Sequence, residues 1–261
     1  MTAISSIGVA WLVMSLLMAA LWFVQFKKHN AGIVDVAWSF GTGLSALWFV
    51  AWAPGQPGRK LIVAVLAAAW AARLGFALLR RIRGEEEDGR YQMLREKWGD
   101  RTQPLMFGFF QIQAFWAVLF ALPMLGAASN AAVLGITDWI AIVVFLVALS
   151  GESVADLQLA AFRNQESNRG KVCRVGLWQW SRHPNYFFEW IHWFAYVLLA
   201  LASPLAWLTW AGVAVMLLFL TRVTGIPLTE SRSIKSRGDA YRQYQREVSA
   251  FFPLPPREDR K

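Results

Sequence analysis

The chain has 261 residues, of which 56% are hydrophobic and only 16% charged, and this composition is too apolar for an ordinary soluble domain. Its net charge of +9 lies almost entirely in segments that flank long apolar runs. Positive-inside topology and anionic lipid account for that charge, so nucleic-acid binding is not expected. The single cysteine, Cys173, excludes an internal disulfide and any thiolate metal cluster built from this chain alone.

Seven apolar runs are long enough to cross a hydrocarbon core of about 30 Å. We expect helices, because a helix satisfies its own backbone hydrogen bonds in lipid and the runs are too uniformly apolar for barrel strands. The first run is followed by Lys27 and Lys28 and lacks a preceding basic region, so we interpret it as a span and not as a removable signal. The predicted spans are 6–26, 33–53, 61–79, 105–127, 139–160, 185–202 and 204–221.

The basic residues between these spans are unevenly divided, and Lys and Arg are retained on the cytoplasmic side of a membrane. Segments 27–32, 80–103, 161–183 and 222–261 carry 2, 7, 5 and 9 of them. The other inter-span loops carry only Arg59 and Lys60. The sequence therefore predicts an all-α polytopic protein of seven transmembrane helices, with the N-terminus outside and the C-terminus cytoplasmic. It predicts a single domain over residues 1–261, with a short polar tail from about Pro253.

Polar residues within the predicted spans recur at three- and four-residue steps, which places them on single helix faces. An ionisable group in a span is costly and is a functional-site hypothesis by default, although interhelical pairing is the alternative. Their confinement to the cytoplasmic half favours a pocket open to the cytosol. The stripes are Asp35, Trp38, Thr42 and Ser45; Arg73 and Arg80; Glu152, Asp156 and Arg163; and Asn185, Glu189, His192 and Tyr196.

The loops beside this expected pocket are rich in arginine, which binds phosphate in a bidentate manner and suits a polyanion such as a dinucleotide. Ordinary positive-inside charge with lipid headgroup contact is the alternative. No GxGxxG or GxxxxGK[ST] motif occurs, and the three histidines lack metal-ligand spacing. The loop residues are Arg80, Arg81, Arg83, Arg90 and Arg95; Arg163, Arg169, Lys171, Arg174 and Arg182; and Arg222 and Arg232.

The stretch 176–189, Gly-Leu-Trp-Gln-Trp-Ser-Arg-His-Pro-Asn-Tyr-Phe-Phe-Glu, resembles the steroid 5α-reductase family, especially its bacterial members. Supporting pieces are Asp35-Val36-Ala37-Trp38, Arg73-Leu74, Asp88-Gly89-Arg90-Tyr91 with Arg95, and the tail from Tyr241 to Pro253. The resemblance implies a seven-helix membrane fold that reduces the carbon–carbon double bond of an enone lipid with NADPH bound from the cytosol.

The resemblance also implies site residues. Asp156, Arg163, Asn185 and Glu189 match residues that line the family's cofactor pocket. Arg81 and Arg83 resemble the pair that meets the adenosine phosphates, and Lys171 falls where eukaryotic members have arginine. The predicted cofactor-binding set is Arg73, Arg81, Arg83, Asp156, Arg163, Lys171, Arg174, Arg182, His183, Asn185, Tyr186, Glu189 and Arg222.

The catalytic residues implied by the resemblance lie in the second span. Asp35 is the counterpart of the glutamate that polarises the substrate carbonyl, and it could donate a proton if burial beside few cations kept it protonated. The third span has no tyrosine to match the family's second donor, and Trp70 falls nearest to that position. Trp38 could shape the substrate slot or belong to an interfacial aromatic belt.

Two other functions fit parts of the pattern. The Arg-His-Pro-Asn-Tyr element at 182–186 is similar to that of the isoprenylcysteine carboxyl methyltransferases, which use S-adenosylmethionine. A non-enzymatic lipid-binding or transport protein is the third possibility, for which polar groups should be spread through the full membrane depth. The leading expectation is a reductase of the bacterial inner membrane, facing the cytoplasm. Its partners would be NADPH, a steroid-like or isoprenoid enone and membrane lipid, with no metal.

Overall fold

The computed structural model describes residues 2–84 and 87–257 and contains helices but no strands in those ranges. Three short 3-10 turns, Gly99–Arg101, Glu166–Asn168 and Gly176–Gln179, and one π-helical turn, Phe219–Val223, accompany the α-helices. The α-helices are α1 (Ala3–Lys28), α2 (Ile33–Trp52), α3 (Pro57–Gly84), α4 (Gly89–Trp98), α5 (Thr102–Ala128), α6 (Ile136–Arg163), α7 (Pro184–Leu199), α8 (Ala206–Leu218), α9 (Ile226–Arg237) and α10 (Asp239–Glu247).

Six helical segments among the described residues are long and apolar enough to cross a membrane: Ala3–Lys28, Ile33–Trp52, Pro57–Arg83, Gly89–Ala128, Ile136–Arg163 and Ala206–Arg237. Apolar side chains cover their outer faces, as with Leu16 of α1, which is 64% exposed. The chain is therefore a membrane protein built from apolar helices. The predicted span at 185–202 corresponds to α7, whose 16 residues measure about 24 Å at 1.5 Å per residue. A crossing by α7, and with it the seventh span, stays a prediction.

The chain forms two compact units, and the single domain expected from the sequence stays a prediction. In the first unit, which comprises α1 to α5 and the segment Leu199–Thr209, α2 packs against α1, α3 and α5. Small residues allow this close approach in membrane helices. A Cβ added to Gly43 would lie 2.4 Å from the Cβ of Ala71 in α3.

Arg59 stabilises the end of the first unit that lies away from the basic loops. Its guanidinium, which is almost fully buried, donates to the backbone carbonyls of Asn130, Ala132 and Val133 at 3.0, 2.7 and 3.1 Å. Asn130 in turn donates to the carbonyl of Leu199 at 2.8 Å. This basic residue of a predicted outer loop therefore has a structural role.

The second unit comprises Ile136–Leu198 and the chain from Trp210 onward. A Cβ added to Gly151 of α6 would lie 2.5 Å from the ring of Phe188, so glycine permits the contact between α6 and α7. The connection between these helices is hydrogen-bonded to α6: the amide of Leu177 donates to Gln158 and the indole of Trp178 to the carbonyl of Ala155, both at 2.9 Å. This bonding fixes the loop that leads into α7.

Candidate functional site

The start of α7 brings together two residues that the resemblance assigned to the cofactor. The amide of Asn185 donates to Asp156 of α6 at 3.1 Å, and its side-chain oxygen accepts from the amide of Tyr186 at 3.0 Å. Pro184 is well placed at the first helical position, because it lacks an amide hydrogen that would go unpaired there. The Asn185–Asp156 pair is thus presented at a defined helix start.

Further along α7, the polar stripe enters the interior of the second unit. Glu189 and His192 are buried, with the Nδ1 atom of His192 lying 3.7 Å from the carboxylate of Glu189. His192 also contacts the ring of Phe145 on α6 at a centroid distance of 5.8 Å. Tyr196, one turn on, is fully buried. The predicted stripe is therefore an inward-facing surface of α7.

Arg182 and His183 are held by Glu230 of α9. The Nε atom of Arg182 donates to Glu230 at 2.6 Å and His183 Nε2 lies 3.3 Å from the same oxygen, while Gln245 donates to the other oxygen at 2.7 Å. Arg182 also donates to the backbone carbonyls of residues 245 and 248. Sequence analysis missed Glu230, although it is an acid in an otherwise basic segment.

Burial controls the protonation of His183. Desolvation of the ring lowers the pKa of His183 below its ordinary value of 6.5, and the charge of Arg182 acts in the same direction. The hydrogen bond and charge of Glu230 oppose this effect only in part. The ring stacks on Tyr186 at a centroid distance of 5.3 Å, and the hydroxyl of Tyr186 lies 3.2 Å from that of Thr229. A neutral histidine therefore joins the start of α7 to α9.

A cleft in the second unit collects several of the predicted cofactor residues. Among the described residues that line it there is no carboxylate, so its polar surface is cationic, and guanidinium and ammonium groups of this kind bind phosphates. Arg237, which sequence analysis missed, is oriented by donating to the backbone carbonyl of Lys171 at 2.9 Å. The charged and polar lining includes Arg163, Lys171, Arg182, His183, Arg237 and Tyr241.

Six predicted cofactor residues of the second unit lie outside this cleft lining: Asp156, Asn185, Tyr186 and Glu189 on α6 and α7, together with Arg174 and Arg222. Arg174 forms an ion pair with Glu247 and lies over the ring of Tyr244 at 5.2 Å. Arg222 lies in the π-helical turn that follows α8 and is exposed. Arg174 therefore fastens the loop before α7 to α10.

In the first unit, Asp35 is bound by two residues of α4. The Nη2 atom of Arg90 and the hydroxyl of Tyr91 donate to its two oxygens, each at 2.7 Å. The sequence-based idea that Asp35 lies beside few cations is thus wrong, because α4 delivers a guanidinium to it. A tyrosine hydroxyl therefore lies at the predicted acid although the third span has no tyrosine, and Tyr91 belongs to the Asp88-Gly89-Arg90-Tyr91 motif.

Asp88 positions Arg90 at the start of α4. Its side chain caps α4 by accepting from the amide of Arg90 at 2.9 Å, and it also accepts from Nε of Arg90 at 3.2 Å and from Arg81 at 2.7 Å. Asp35, Arg81 and Arg90 line a shallow cleft with Asn30. The structure therefore brings the predicted acid Asp35 close to the predicted phosphate ligand Arg81.

The other candidates of the first unit are distributed along α2 and α3. Trp38 packs edge-on against Trp70 and Phe120, with centroid distances of 6.1 and 5.7 Å. Arg73 is half-buried and Arg83 is exposed in the last turn of α3. Trp38 is thus part of an aromatic cluster inside the first unit, while the roles of Arg73 and Arg83 stay predictions.

These features define a helical membrane protein with a cationic cleft and a partly buried Arg–Asp–Tyr cluster. Among the described residues, no group of three or more His, Cys, Asp or Glu side chains could hold a metal ion. The chain belongs to the family described as "Protein of unknown function (DUF1295)", whose profile matches residues 21–248. It is 30% identical over 267 aligned positions to an uncharacterized protein of Schizosaccharomyces pombe, covering 89% of this chain and 75% of the yeast protein. No solved structure matches it.

Proposed function

We propose that this protein is a membrane reductase that uses NADPH to reduce the carbon–carbon double bond of a conjugated ketone in a steroid-like or isoprenoid substrate. The observation that carries the proposal is the cationic cleft of the second unit, in which Arg163, Lys171 and Arg237 present positive charge and no described lining residue is acidic. A dinucleotide phosphate is a polyanion, so a cleft of this kind suits its phosphate-bearing part. The resemblance of segment 176–189 to the steroid 5α-reductases points to the same cofactor.

The polar groups at the start of α7 also fit such a cofactor. Asn185 and Asp156 offer both hydrogen-bond donors and acceptors, which suit the hydroxyl and amide groups of a nucleotide. A methyl donor such as S-adenosylmethionine has no phosphates. Its single carboxylate is outweighed by its ammonium and sulfonium groups, so a cationic cleft suits it less well than a dinucleotide.

The chain's own chemical contribution would come from the cluster around Asp35. The chemistry that NADPH would supply when bound is a hydride for the β-carbon of the enone. Negative charge then develops on the ketone oxygen, and a positioned donor lowers the barrier. Tyr91, whose hydroxyl is positioned by Asp35, would turn its single O–H from that carboxylate to the enolate oxygen and give up the proton, which water would then replace. Trp38 and its aromatic neighbours would form part of the slot for the apolar substrate.

Binding measurements on the purified protein in detergent test the proposal. We expect NADPH to raise the melting temperature and to show enhanced fluorescence, whereas S-adenosylmethionine should do neither. The double variant Arg163→Gln/Lys171→Gln should bind NADPH at least about tenfold more weakly, because charge-assisted hydrogen bonds contribute roughly 1.5–3 kcal/mol each. Asn185→Ala should also weaken binding.

The matched control is Arg169→Gln, because Arg169 is exposed on the same loop and does not line the cleft. It should bind NADPH like the wild type. Stabilisation by S-adenosylmethionine alone would establish the methyltransferase instead. A protein stabilised by neither ligand, but by an enone lipid, would favour a lipid-binding role.

A further inference from the structure

A second cleft in the second unit is formed by the segment that follows α10. This segment is fixed to the loop before α7, since the amide of Arg182 donates to the carbonyl of Ser249 at 2.8 Å and that of Leu254 to the carbonyl of Trp180 at 2.9 Å. The hydroxyl of Ser181 donates to the carbonyl of Phe251 at 2.9 Å. The segment therefore has a defined backbone as part of the second unit.

The cleft has a volume of about 210 Å³, and its charged lining is made of arginines. Arg246 and Arg257 are exposed at its border, and Arg257 is positioned by a 2.8 Å backbone hydrogen bond to the carbonyl of Glu247. The carboxylate of Glu247 is itself engaged by Arg174 and Gln243. Among the described lining residues there is no acid, so the cleft favours an anion.

Leu254 lines this basic cleft, Phe252 lies two residues before it on the same segment, and Trp180 accepts the backbone hydrogen bond of Leu254. Trp180, Phe252 and Leu254 are each about half exposed, at 45, 51 and 49%. The ring of Phe252 also packs against Phe187 and Trp190 of α7, at centroid distances of 6.2 and 6.0 Å. Exposed aromatic and aliphatic groups beside arginines are typical of the membrane–water interface, where rings enter the acyl boundary and cations meet headgroups.

We propose that this cleft binds the phosphate of an anionic phospholipid, with Arg246 and Arg257 on the headgroup and Trp180, Phe252 and Leu254 against the acyl chains. Guanidinium groups bind phosphate strongly, and the flanking apolar surface selects a lipid over a soluble phosphate.

The site is distinct from the proposed cofactor cleft, with which it shares only Arg182, whose guanidinium is already bound by Glu230. Beyond Arg257 the sequence adds Glu258, Asp259, Arg260 and Lys261, whose charges cancel.

The full chain, purified in a neutral detergent, would be titrated with phosphatidylglycerol or phosphatidylcholine while its melting temperature is recorded. Phosphatidylglycerol should raise the melting temperature of the wild type, and phosphatidylcholine should not. The double variant Arg246→Gln/Arg257→Gln should need on the order of twentyfold more phosphatidylglycerol for the same rise, from roughly fivefold for each arginine near an anionic surface.

The matched control is Arg101→Gln/Arg242→Gln, which removes the same charge from two exposed positions outside the cleft. It should respond to phosphatidylglycerol like the wild type, and a loss of response equal to that of the cleft variant would overturn the proposal. An equal rise with phosphatidylcholine, or with inorganic phosphate at the same concentration, would also overturn it.

If the double variant proves unstable without lipid, Arg257→Gln alone is measured. The melting shift by NADPH should be the same in both double variants, which separates this site from the proposed reductase activity.

Discussion

The carboxylate of Asp35 accepts one hydrogen bond on each oxygen, from the guanidinium of Arg90 and the hydroxyl of Tyr91. Both oxygens of Asp35 are thus engaged as acceptors at 2.7 Å, so this side chain is suited to orient Tyr91. Tyr91 is buried, and its hydroxyl is held by this one acceptor within the first unit. The two residues therefore act as a pair.

Replacing either member of this pair should slow the proposed reaction without preventing cofactor binding. Asp35→Asn and Tyr91→Phe should each lower the rate of enone steroid reduction by about a hundredfold or more, the usual contribution of a positioned proton donor. The double variant should be no slower than the slower single variant, because both changes act on the same contact between Asp35 and Tyr91. Steady-state kinetics with NADPH binding measured in parallel would check this.

Ser45→Ala provides the control for this pair, since Ser45 is buried on the same face of α2 as Asp35. Its reduction rate should match the wild type. Wild-type turnover by Asp35→Asn would show that the acid has no part in the chemistry.

At the scale of elements, the loop before α7 is fastened on three sides. Gln158 and Ala155 hold it to α6, Glu230 of α9 holds Arg182 and His183, and the segment after α10 pairs with residues 180–182. Gly176 enters the loop with a φ of +55°, a left-handed conformation that favours glycine, and a Cβ there would lie 2.3 Å from the side chain of Gln158. The residues proposed to bind the cofactor are therefore presented by a rigid support.

This support should weaken in acid because His183 is buried as a neutral ring. Its pKa is lowered in the folded protein, so the unfolded chain binds the proton more readily. The contribution of neutral His183 to the stability of the folded protein is fully present above the ordinary pKa of 6.5. It is lost as the pH falls through the lower pKa that His183 has in the folded state. The melting temperature in detergent should accordingly be lower at pH 5.5 than at pH 7.5.

His183→Gln retains a donor for Glu230 but cannot titrate. The decrease in melting temperature between pH 7.5 and pH 5.5 should therefore be smaller in this variant than in the wild type. His29→Gln, which changes a histidine at the end of α1, should retain the wild-type decrease. An unchanged pH dependence in His183→Gln would assign the effect to other groups.

At the scale of the whole molecule, the number of crossings decides on which sides the two ends of the chain lie. An odd number places them on opposite sides, and an even number on the same side. Six described segments have spanning length, and α7 is the segment in question, since about 24 Å falls short of a hydrocarbon core of about 30 Å. Local bilayer thinning can accommodate a short helix at modest cost.

Cysteine labelling in intact bacterial cells distinguishes the two topologies. In a background in which Cys173 is replaced by alanine, Thr2→Cys and Val133→Cys should react with an impermeant maleimide, whereas Arg101→Cys and Arg257→Cys should react only after lysis. This outcome follows from the positive-inside distribution with seven crossings. Equal labelling of positions 2 and 257 in intact cells would show an even number of crossings.

Several parts of the architecture follow from sequence because they depend on local physics. Uniform apolar runs must form helices in lipid, and six of the seven predicted spans correspond to helical segments of spanning length. The stripe from Asn185 to Tyr196 follows from the helical repeat, and Pro184 marks its start. The length of α7 was overestimated because the apolar composition continues past Leu199, where the helix ends and a turn begins.

What only the tertiary structure decided is which charged group meets which. The sequence determined an apolar helical protein with basic loops and a set of polar residues at helical spacing, because periodicity and composition act over neighbouring residues. It did not reveal that Arg90 and Tyr91 reach Asp35 across 55 and 56 positions, or that Glu230 holds Arg182 from 48 positions away. An ion pair carries no sequence periodicity, and its partners are set by the packing of helices and loops. The clefts, and the contact of Glu230 with Arg182 and His183, are therefore visible only in the folded units.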